Sequence, residues 1–533
     1  MANRIWALAA TLGTVTACNA ILGIDEKGAV DAAGDFAATI TQTNVRIVAG
    51  QDASVNVALA RSGGFAGAVT VLAVGLPAGV TADQLTFSPS QTMGKLVFHS
   101  SADADLGEAQ VSVIAGAFGG FRAPIPLTFI VQGVPGTLDT TFGNSGRVVS
   151  PMGIAADAIG SGGVRIGSDG SVFLCGSAHA LNTDSGVTDS SVLLVRLTAG
   201  GALDSTFGSG GILLGNSPGS TADGCNSAMV RASGGLAITG FGRPSASGPR
   251  ALMAARFTNM GMGSSGFGMS GWATTLLDGA DTTGCCVIGG LADDRIIVAG
   301  KRSQGPVLIQ YLRGSGLDLA FGQGRGMVTV GPAGAGARSL ALQSTGQYIV
   351  AVDSTPFRVM RVTSDGTPAD FGDGGAASVN VGGHGFSNAS VALVKPDDGV
   401  VAVGTATGDS RTKDIAVEFL DSSGQLDTKV LPNGWALAPF GQADSIVSSA
   451  ALQADGAIVV VGQSATDAGQ AFSVMRFASN GSIDTTFGPG GRRTFDANGI
   501  GQGIAIDSLG RIVVAGAAGS AADSGIVAYR LWP

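Results

Sequence analysis

A six-residue string recurs along this chain, and its spacing limits the folds that the chain can adopt. The clearest copies read Leu-Asp-Thr-Thr-Phe-Gly or a close variant, at 138–143, 203–208, 317–322 and 483–488. The position equivalent to Phe falls at 142, 207, 267, 321, 371, 430 and 487, so neighbouring copies lie 50 to 65 residues apart. Repeats of this length are typical of stacked or circular arrays in which each unit is one supersecondary motif.

Each repeat is predicted to contain four β-strands. In the sixth repeat, apolar runs at 450–453 and 458–461 flank Asp455-Gly456, a pair that favours a tight hairpin turn. These runs are apolar on both faces, as expected of strands buried between neighbouring sheets. The third strand is predicted at 472–477, and the recurring string itself is predicted to be the fourth strand.

The strings of this repeat resemble those of the bacterial delta-60 repeat. The resemblance rests on Ile483–Gly488, on Asp455–Gly462 and on Met475-Arg476-Phe477, and it covers about 400 residues. The strand order is also similar to that of NHL-type propeller repeats. The resemblance implies no catalytic residues. Seven four-stranded units predict a seven-bladed β-propeller over residues 134–533, with an open solenoid that needs capping repeats as the alternative.

The order of the predicted strands indicates how the ring closes. The repeat region begins with a fourth strand, at Leu138, and ends with a third strand, at Leu531. The N-terminal outer strand is therefore expected to complete the last blade, which hides the exposed sheet edges. In the clearest repeats an Arg of the third strand faces the Asp of the string, and such opposite charges stabilise a sheet. The equivalent pair in the last blade is Arg530 with Asp139, which we expect to be in contact.

Residues 36–133 follow a different pattern, with a period of two. Val55, Val57 and Leu59 alternate with polar or small residues, as in a half-buried strand. Seven or eight short strands of this kind predict a β-sandwich. The pattern resembles the immunoglobulin-like modules of bacterial surface proteins. The predicted fold is therefore all-β, with an immunoglobulin-like β-sandwich followed by the propeller.

The first 17 residues are predicted to be a signal peptide. A basic start is followed by an apolar run, Ile5–Val15, that is too short to span a membrane. Val15-Thr16-Ala17-Cys18 then resembles the lipobox of bacterial lipoprotein signal peptides. The resemblance implies cleavage before Cys18, lipidation of that residue and a tether over 18–35. Asn19 favours the outer membrane under enterobacterial-type sorting, and an ordinary secretory signal is the alternative.

Composition argues against several classes of partner and chemistry. The formal net charge is -9, and no basic patch with interleaved aromatic residues is present, so nucleic acid is not expected as a partner. Three His residues in the whole chain leave little for metal binding or His-based catalysis. Two of them, His179 and His384, fall in loops of different repeats.

Four Cys remain once Cys18 carries lipid. Cys225 and Cys285 hold equivalent positions in adjacent repeats, and Cys286 follows directly. Two alternatives are open: a bridge from Cys225 to Cys285 or Cys286, formed in an oxidising envelope, or buried free thiols. Cys175 is predicted to be a core residue of a second strand.

Polar residues precede the predicted first strands of several repeats, and a propeller would collect them near one mouth of its channel. They are Asp157, Asp223, Asp281, Asn388, Asp444 and Asn498. Their oxygens predict either a cation or polar-ligand site, with calcium as the candidate cofactor, or a solvated ring of loops. No other cofactor and no resident metal are expected.

These features favour a non-catalytic, lipid-anchored envelope protein that binds or scaffolds a protein or carbohydrate through its propeller loops. The first alternative is a propeller-type hydrolase or lyase that uses an acidic, metal-bound channel mouth. A second alternative is a purely structural role without a ligand.

Overall fold

A computed structural model describes residues 35–117, 120–149, 155–179, 190–277, 279–289, 294–382, 385–408, 412–441, 443–466, 469–497, 499–518 and 525–533. The predicted signal peptide, Cys18 and the predicted tether up to residue 34 lie outside these residues. The chain divides into two compact units between Val134 and Pro135. The described residues form β-strands and one short 3-10 helix, so the prediction of an all-β fold is confirmed. No helix among them is long and apolar enough to cross a membrane.

The first unit contains ten strands in two sheets. They are β1 (Asp35–Ile40), β2 (Asn44–Val48), β3 (Asp52–Ser62), β4 (Val69–Val74), β5 (Val80–Ala82), β6 (Leu85–Phe87), β7 (Met93–Ser100), β8 (Gly107–Ala117), β9 (Gly120–Phe121) and β10 (Ile125–Gln132). One sheet has the order β1-β3-β7-β5, and the other has β2-β10-β8-β4-β6 with β9 paired to β8. Both sheets contribute side chains to one core, in which Val55, Val57 and Leu59 point inward from β3 as their alternation predicts.

The second unit is built from strands that pair in chain order. They are β11 (Arg147–Val149), β12 (Ala155–Ile166), β13 (Val172–His179), β14 (Ser190–Leu197), β15 (Ile212–Gly215), β16 (Ala222–Val230), β17 (Leu236–Arg243), β18 (Ala251–Phe257), β19 (Trp272–Thr275), β20 (Thr283–Ile288), β21 (Ile296–Arg302), β22 (Gly305–Tyr311), β23 (Met327–Thr329), β24 (Ala337–Leu342), β25 (Tyr348–Val352), β26 (Phe357–Val362), β27 (Ala376–Val379), β28 (Ser387–Val394), β29 (Val400–Thr407), β30 (Lys413–Leu420), β31 (Trp435–Ala438), β32 (Ser445–Leu452), β33 (Ile458–Thr466), β34 (Gly469–Phe477), β35 (Arg492–Ala497), β36 (Ile500–Ile506), β37 (Ile512–Ala518) and β38 (Gly525–Leu531). The 3-10 helix η1 (Pro489–Gly491) precedes β35.

Within the described residues, these strands fall into seven antiparallel sets of four. Set one is β12–β15, set two is β16–β19, set three is β20–β23, set four is β24–β27, set five is β28–β31 and set six is β32–β35. Set seven combines β36, β37 and β38 with β11 from the start of the unit. Sets one and two are joined into one sheet by a single parallel pair between Gly162 and Ser227.

The hairpin between the first two strands of a set depends on a residue that accepts positive φ. In set six, Gly456 has φ 83° and ends the turn, while the Asp455 carboxylate accepts a hydrogen bond from the backbone N–H of Ala457 at 3.0 Å. Asp and Gly are favoured in such turns for these two separate reasons. The flanking β32 and β33 pair in register from Leu452 with Ile458 outward.

The recurring string is a turn, which corrects the prediction that it is the fourth strand. In the first copy, Leu138 makes one isolated bridge to Leu531, and the chain then turns. The Asp139 carboxylate accepts hydrogen bonds from both the backbone N–H and the hydroxyl of Thr141, at 3.1 and 2.7 Å. Such Asx turns compete with strand pairing, so the string cannot remain extended. The outer strand comes later, and in set seven it is β11.

In sets seven, one, three and four, the Phe and Gly of the string connect the set to the next one. Phe142 is buried, and Gly143 donates its backbone N–H to the carbonyl oxygen of Gly200, in set one, at 2.8 Å. The equivalent bonds from other sets run from Gly208 to Met260, from Gly322 to Asp365 and from Gly372 to Ser423. The string therefore joins neighbouring sets, and this structural role explains its recurrence without a catalytic or ligand-binding role.

The last set packs against the first, with the N-terminal segment between them. Arg530 of β38 lies over the ring of Phe142, with its guanidinium carbon 4.6 Å from the ring centroid. Its Nε lies 2.7 Å from Asp139 Oδ2, and its Nη1 donates to the carbonyl oxygen of Ala199 in set one. Phe142 belongs to one hydrophobic cluster with side chains from sets one and seven, including Ile159 and Val513. The sets are thus joined end to end through residues 138–149.

Candidate functional site

The first strands of all seven sets line one central cavity of about 250 Å³. An adjoining cavity of about 260 Å³ is lined by residues from sets one to four. The two share Ser161, Cys285 and Arg338 in their walls. The two cavities together are called the channel region below.

Each first strand carries a β-bulge at the level of this channel. The extra residues, which have no partner on the second strand, are Gly160–Gly163, Asn226, Cys285, Arg338, Ser390, Ser448 and Gln502. A bulge inserts one side chain out of register and re-aims it. Of these bulge residues, Ser161, Asn226, Cys285, Arg338 and Ser448 line one or both cavities, whereas Ser390 and Gln502 line neither.

A Gly inside the second strand makes these bulges feasible. A Cβ on Gly462 would lie 2.0 Å from the carbonyl oxygen of Ile446, and a Cβ on Gly516 would lie 1.9 Å from that of Ile500. Gly240, Gly300 and Gly404 are in the same position in their sets. In these sets the second-strand Gly therefore marks the bulge, and counting back across the hairpin from it identifies the bulge residue.

Three of the bulge side chains bind the next set around the ring. Asn226 donates to the carbonyl oxygen of Gly284 at 2.8 Å, and Ser390 donates to that of Val447 at 3.3 Å. Gln502 accepts the backbone N–H of Ile159 at 2.9 Å, which joins set seven to set one. These three residues are structural, because each satisfies a backbone group of a neighbouring strand.

Two arginines in the channel region lack a carboxylate partner among the described residues. Arg165 lines the central cavity, and its one hydrogen bond goes from Nη1 to the carbonyl oxygen of Val164 at 2.7 Å. Burial lowers the pKa of Arg165 to about 10. Arg338 is a bulge residue that lines both cavities and is exposed to them. Neither residue was predicted from the sequence. Counting back across the hairpin from Val352, which takes the place of the second-strand Gly in set four, would locate Arg338.

The cysteines pair differently from the prediction. Cys225 is bridged to Cys175, with their Cα atoms 5.7 Å apart, and not to Cys285 or Cys286. The reason is that β13 of set one packs on β16 of set two, so both residues enter the same core cluster. Cys285 and Cys286 form a second disulfide with each other, and both line the central cavity.

The members of the predicted ring of carboxylates and amides that the structure describes do not converge. Asp223 is buried and accepts hydrogen bonds from the backbone N–H of Ser217 at 2.6 Å and from the hydroxyl of Ser220 at 2.9 Å. Burial nevertheless raises the pKa of the Asp223 carboxyl above its usual range. Asp281 and Asp444 instead accept backbone N–H groups at the start of third strands, at 2.8 and 2.9 Å.

The remaining members of that predicted ring give no cation site among the described residues. Asn388 donates a hydrogen bond to Asp353, which lines the adjoining cavity. Asp223, Asp281, Asn388 and Asp444 line neither cavity. No three Asp, Glu, His or Cys side chains of the described part come together as metal ligands. Asn498, His384 and the side chains of Asp157 and His179 lie outside the described residues.

One buried carboxyl lies away from the channel, in the third strand of set five. Glu418 occupies the third-strand position that Met475 and Tyr529 occupy in their sets, while the adjacent Phe419 takes the position of Arg476 and Arg530. Neither carboxyl oxygen of Glu418 has a hydrogen-bond partner among the described residues, and burial raises the pKa of Glu418 to about 8. Set five also lacks the Phe-Gly pair, with Val430-Leu431 at that point.

Residues 453–487 match the family described as "Domain of unknown function (DUF5122) beta-propeller". No curated protein matches the chain. Among solved structures, domains 4 and 5 of the S-layer protein SbsC are 16% identical over 18% of this chain and 53% of that chain, with a TM-score of 0.15. The match therefore spans about half of that fragment.

Two Bacteroides proteins are also similar in part. A protein of unknown function from Bacteroides caccae is 14% identical over 50% of this chain and 80% of that one, with a TM-score of 0.32. The extracellular domain described as part of a hybrid two component system from B. thetaiotaomicron is 8% identical over 79% and 60%, with a TM-score of 0.24. TM-scores this low indicate no shared global fold, so nothing transfers from these proteins. The four-strand sets and the family match make this chain a β-propeller repeat protein.

Proposed function

We propose that this chain is a lipid-anchored protein of the bacterial outer membrane and acts as a non-catalytic binding or scaffolding platform. In this proposal the seven sets are the blades of one closed propeller, and the first unit is an immunoglobulin-like module. The partner is a protein or a carbohydrate of the envelope, bound by loops of the propeller.

The observation that carries the proposal is the contact between Asp139 and Arg530. It joins the start of the second unit to its end, at 2.7 Å and with both side chains buried. A closed ring leaves no long sheet edge open to other chains. A scaffold of this kind holds its loops rigidly while their sequences vary, which suits a binding platform.

Compartment is supported by the cysteines and by the N-terminal sequence. Both disulfides, Cys175–Cys225 and Cys285–Cys286, are of a kind that persists in oxidising compartments such as the periplasm or the cell surface. The lipobox-like string that ends at Cys18 is consistent with export and anchoring.

Cell fractionation tests the anchor. The full chain is produced in a bacterium with an outer membrane, beside a Cys18→Ala variant. We expect the wild-type chain in the outer-membrane fraction, with a mature mass that lacks residues 1–17 and includes acyl chains. The variant should move to the soluble envelope fraction. The same fraction for both proteins would contradict lipid anchoring.

Affinity capture tests the platform. The Cys18→Ala chain is immobilised in its folded state and exposed to envelope extract, and the urea-unfolded chain is the control. We expect saturable retention of a defined protein or carbohydrate by the folded chain alone. Equal retention by both forms would contradict a binding role and favour a purely structural one.

A further inference from the structure

The channel region concentrates positive charge in an otherwise acidic protein. The formal net charge of the chain is -9, yet no Asp or Glu is among the described residues that line the central cavity. Arg165 and Arg338 both line it. The adjoining cavity adds Lys301 and one carboxylate, Asp353, which accepts a hydrogen bond from Asn388. Clefts lined by one sign of charge focus the electric field and raise the local concentration of counter-ions.

Arg165 has unused hydrogen-bonding capacity. A guanidinium carries five N–H donors, and only Nη1 of this one has a partner among the described residues, the Val164 carbonyl oxygen. Arg165 is partly buried, and its other N–H donors are accessible from the cavity, so a charge-assisted pair with an incoming anion would be favourable here.

Arg338 lines the same central cavity as Arg165. The bulge between Ala337 and Ser339 removes Arg338 from the sheet register, and the residue lines both cavities. It makes no ion pair and no side-chain hydrogen bond within the described residues. The hydroxyls of Ser161 and Ser448 line the same central cavity and are further donors.

We propose that the channel binds a small anion that carries a phosphate or carboxylate group, held by Arg165 and Arg338. Planar guanidinium groups match both kinds of oxyanion through paired N–H donors. The central cavity, at about 250 Å³, has room for inorganic phosphate or a small organic acid. The proposed anion site lies in the channel region and not on the loops that are proposed to bind the partner. Its test is therefore independent of the proposed platform function.

Calorimetric titration of the Cys18→Ala chain tests the site, with inorganic phosphate and citrate as the two probes. Binding of either probe supports the proposal, and the tighter one assigns the oxyanion class. In Arg165→Gln and in Arg338→Gln we expect the dissociation constant to rise at least ~10-fold, because a charge-assisted contact is lost. Arg325→Gln, which removes an exposed charge outside both cavities, should leave it unchanged.

Two results would overturn the site. One is no binding of either probe by the parent chain up to ~10 mM, a limit that covers weak complexes. The other is an unchanged dissociation constant in either channel variant. Arg338 is exposed, so its replacement should not disturb folding, and the site can be judged even if Arg165→Gln proves unstable.

Discussion

The Asp139 carboxylate lies 2.7 Å from the Arg530 guanidinium, although 391 residues separate the two in sequence. Both side chains are buried, and Arg511 lies 3.2 Å from the same carboxylate oxygen. The guanidinium of Arg530 also covers Phe142, so the pair and the ring form one unit. Residues 138–149 are therefore part of set seven, although the chain that follows them directly enters set one.

Replacement of Phe142 by Ala should loosen this closure. The ring is fully buried in the cluster shared by sets one and seven, so its loss leaves a cavity and should lower the free energy of unfolding by roughly 3–5 kcal/mol. Phe386→Ala removes the same group from an exposed position and should cost less than about 1 kcal/mol. Urea denaturation measures both. Equal costs would mean that Phe142 does not help to close the ring.

The two disulfides should differ in their effect on stability. Cys175 and Cys225 are 50 residues apart, and loss of a bridge over such a loop costs about 4 kcal/mol in the chain-entropy model. Cys285 and Cys286 are adjacent and close no loop. We therefore expect a large loss in Cys175→Ala/Cys225→Ala and a small one in Cys285→Ala/Cys286→Ala. A larger loss from the second pair would contradict this pairing.

Glu418 should make the second unit less stable as the pH rises. Its pKa is raised from 4.5 to about 8 in the folded state, so the unfolded chain releases this proton at lower pH. The contribution of protonated Glu418 to the free energy of unfolding is complete below about pH 4.5 and is lost by about pH 8. The free energy of unfolding falls by at most about 5 kcal/mol over this range.

Glu418→Gln tests this effect, because the amide cannot ionise. Thermal midpoints measured from pH 5 to 8 should fall less steeply in the variant, which should also be the more stable protein at about pH 8. Glu108→Gln, at an exposed position in the first unit, is the matched control and should keep the wild-type slope. Identical slopes in all three proteins would exclude Glu418 as the source.

Gly462→Ala should be strongly destabilising for a steric reason. The added Cβ would lie 2.0 Å from the carbonyl oxygen of Ile446, so the bulge of β32 would have to move, at a cost of roughly 1–3 kcal/mol or more. Gly314→Ala adds the same atom where nothing lies within 4 Å. Thermal denaturation should separate the two variants. Equal midpoints would show that the bulge tolerates a side chain.

Periodicity and turn chemistry predicted much of the fold. The third strand expected at 472–477 lies within β34, and the Asp455-Gly456 turn connects β32 to β33. Both predictions depend on local sequence, since apolar runs and a positive-φ glycine act within one hairpin. The string at 138–143 was assigned wrongly, because its Asp binds its own backbone and turns the chain before the outer strand begins.

The channel residues could not be predicted in the same way. In a regular strand, side chains alternate between the two faces with a period of two, so the face of Arg338 could be read from its neighbours. The bulge at Arg338 breaks this alternation, and the sequence pattern does not show the bulge. The pairing of Cys175 with Cys225 likewise depends on the offset between neighbouring sets, which no single repeat encodes. Asp281 and Asp444 were expected to converge, but each caps the start of a third strand.

A double-mutant cycle on Asp139 and Arg530 tests ring closure most directly. Asp139→Asn, Arg530→Gln and the combined variant are compared with the wild-type chain by urea denaturation. Asp139→Asn leaves the buried Arg530 without its carboxylate partner and should cost roughly 3–5 kcal/mol. Arg530→Gln leaves Asp139 paired with Arg511 alone and should cost less, and the double variant should cost clearly less than the sum of the two. Additive costs within about 0.5 kcal/mol would show that the two residues are not coupled, and would contradict closure of the ring by the N-terminal segment.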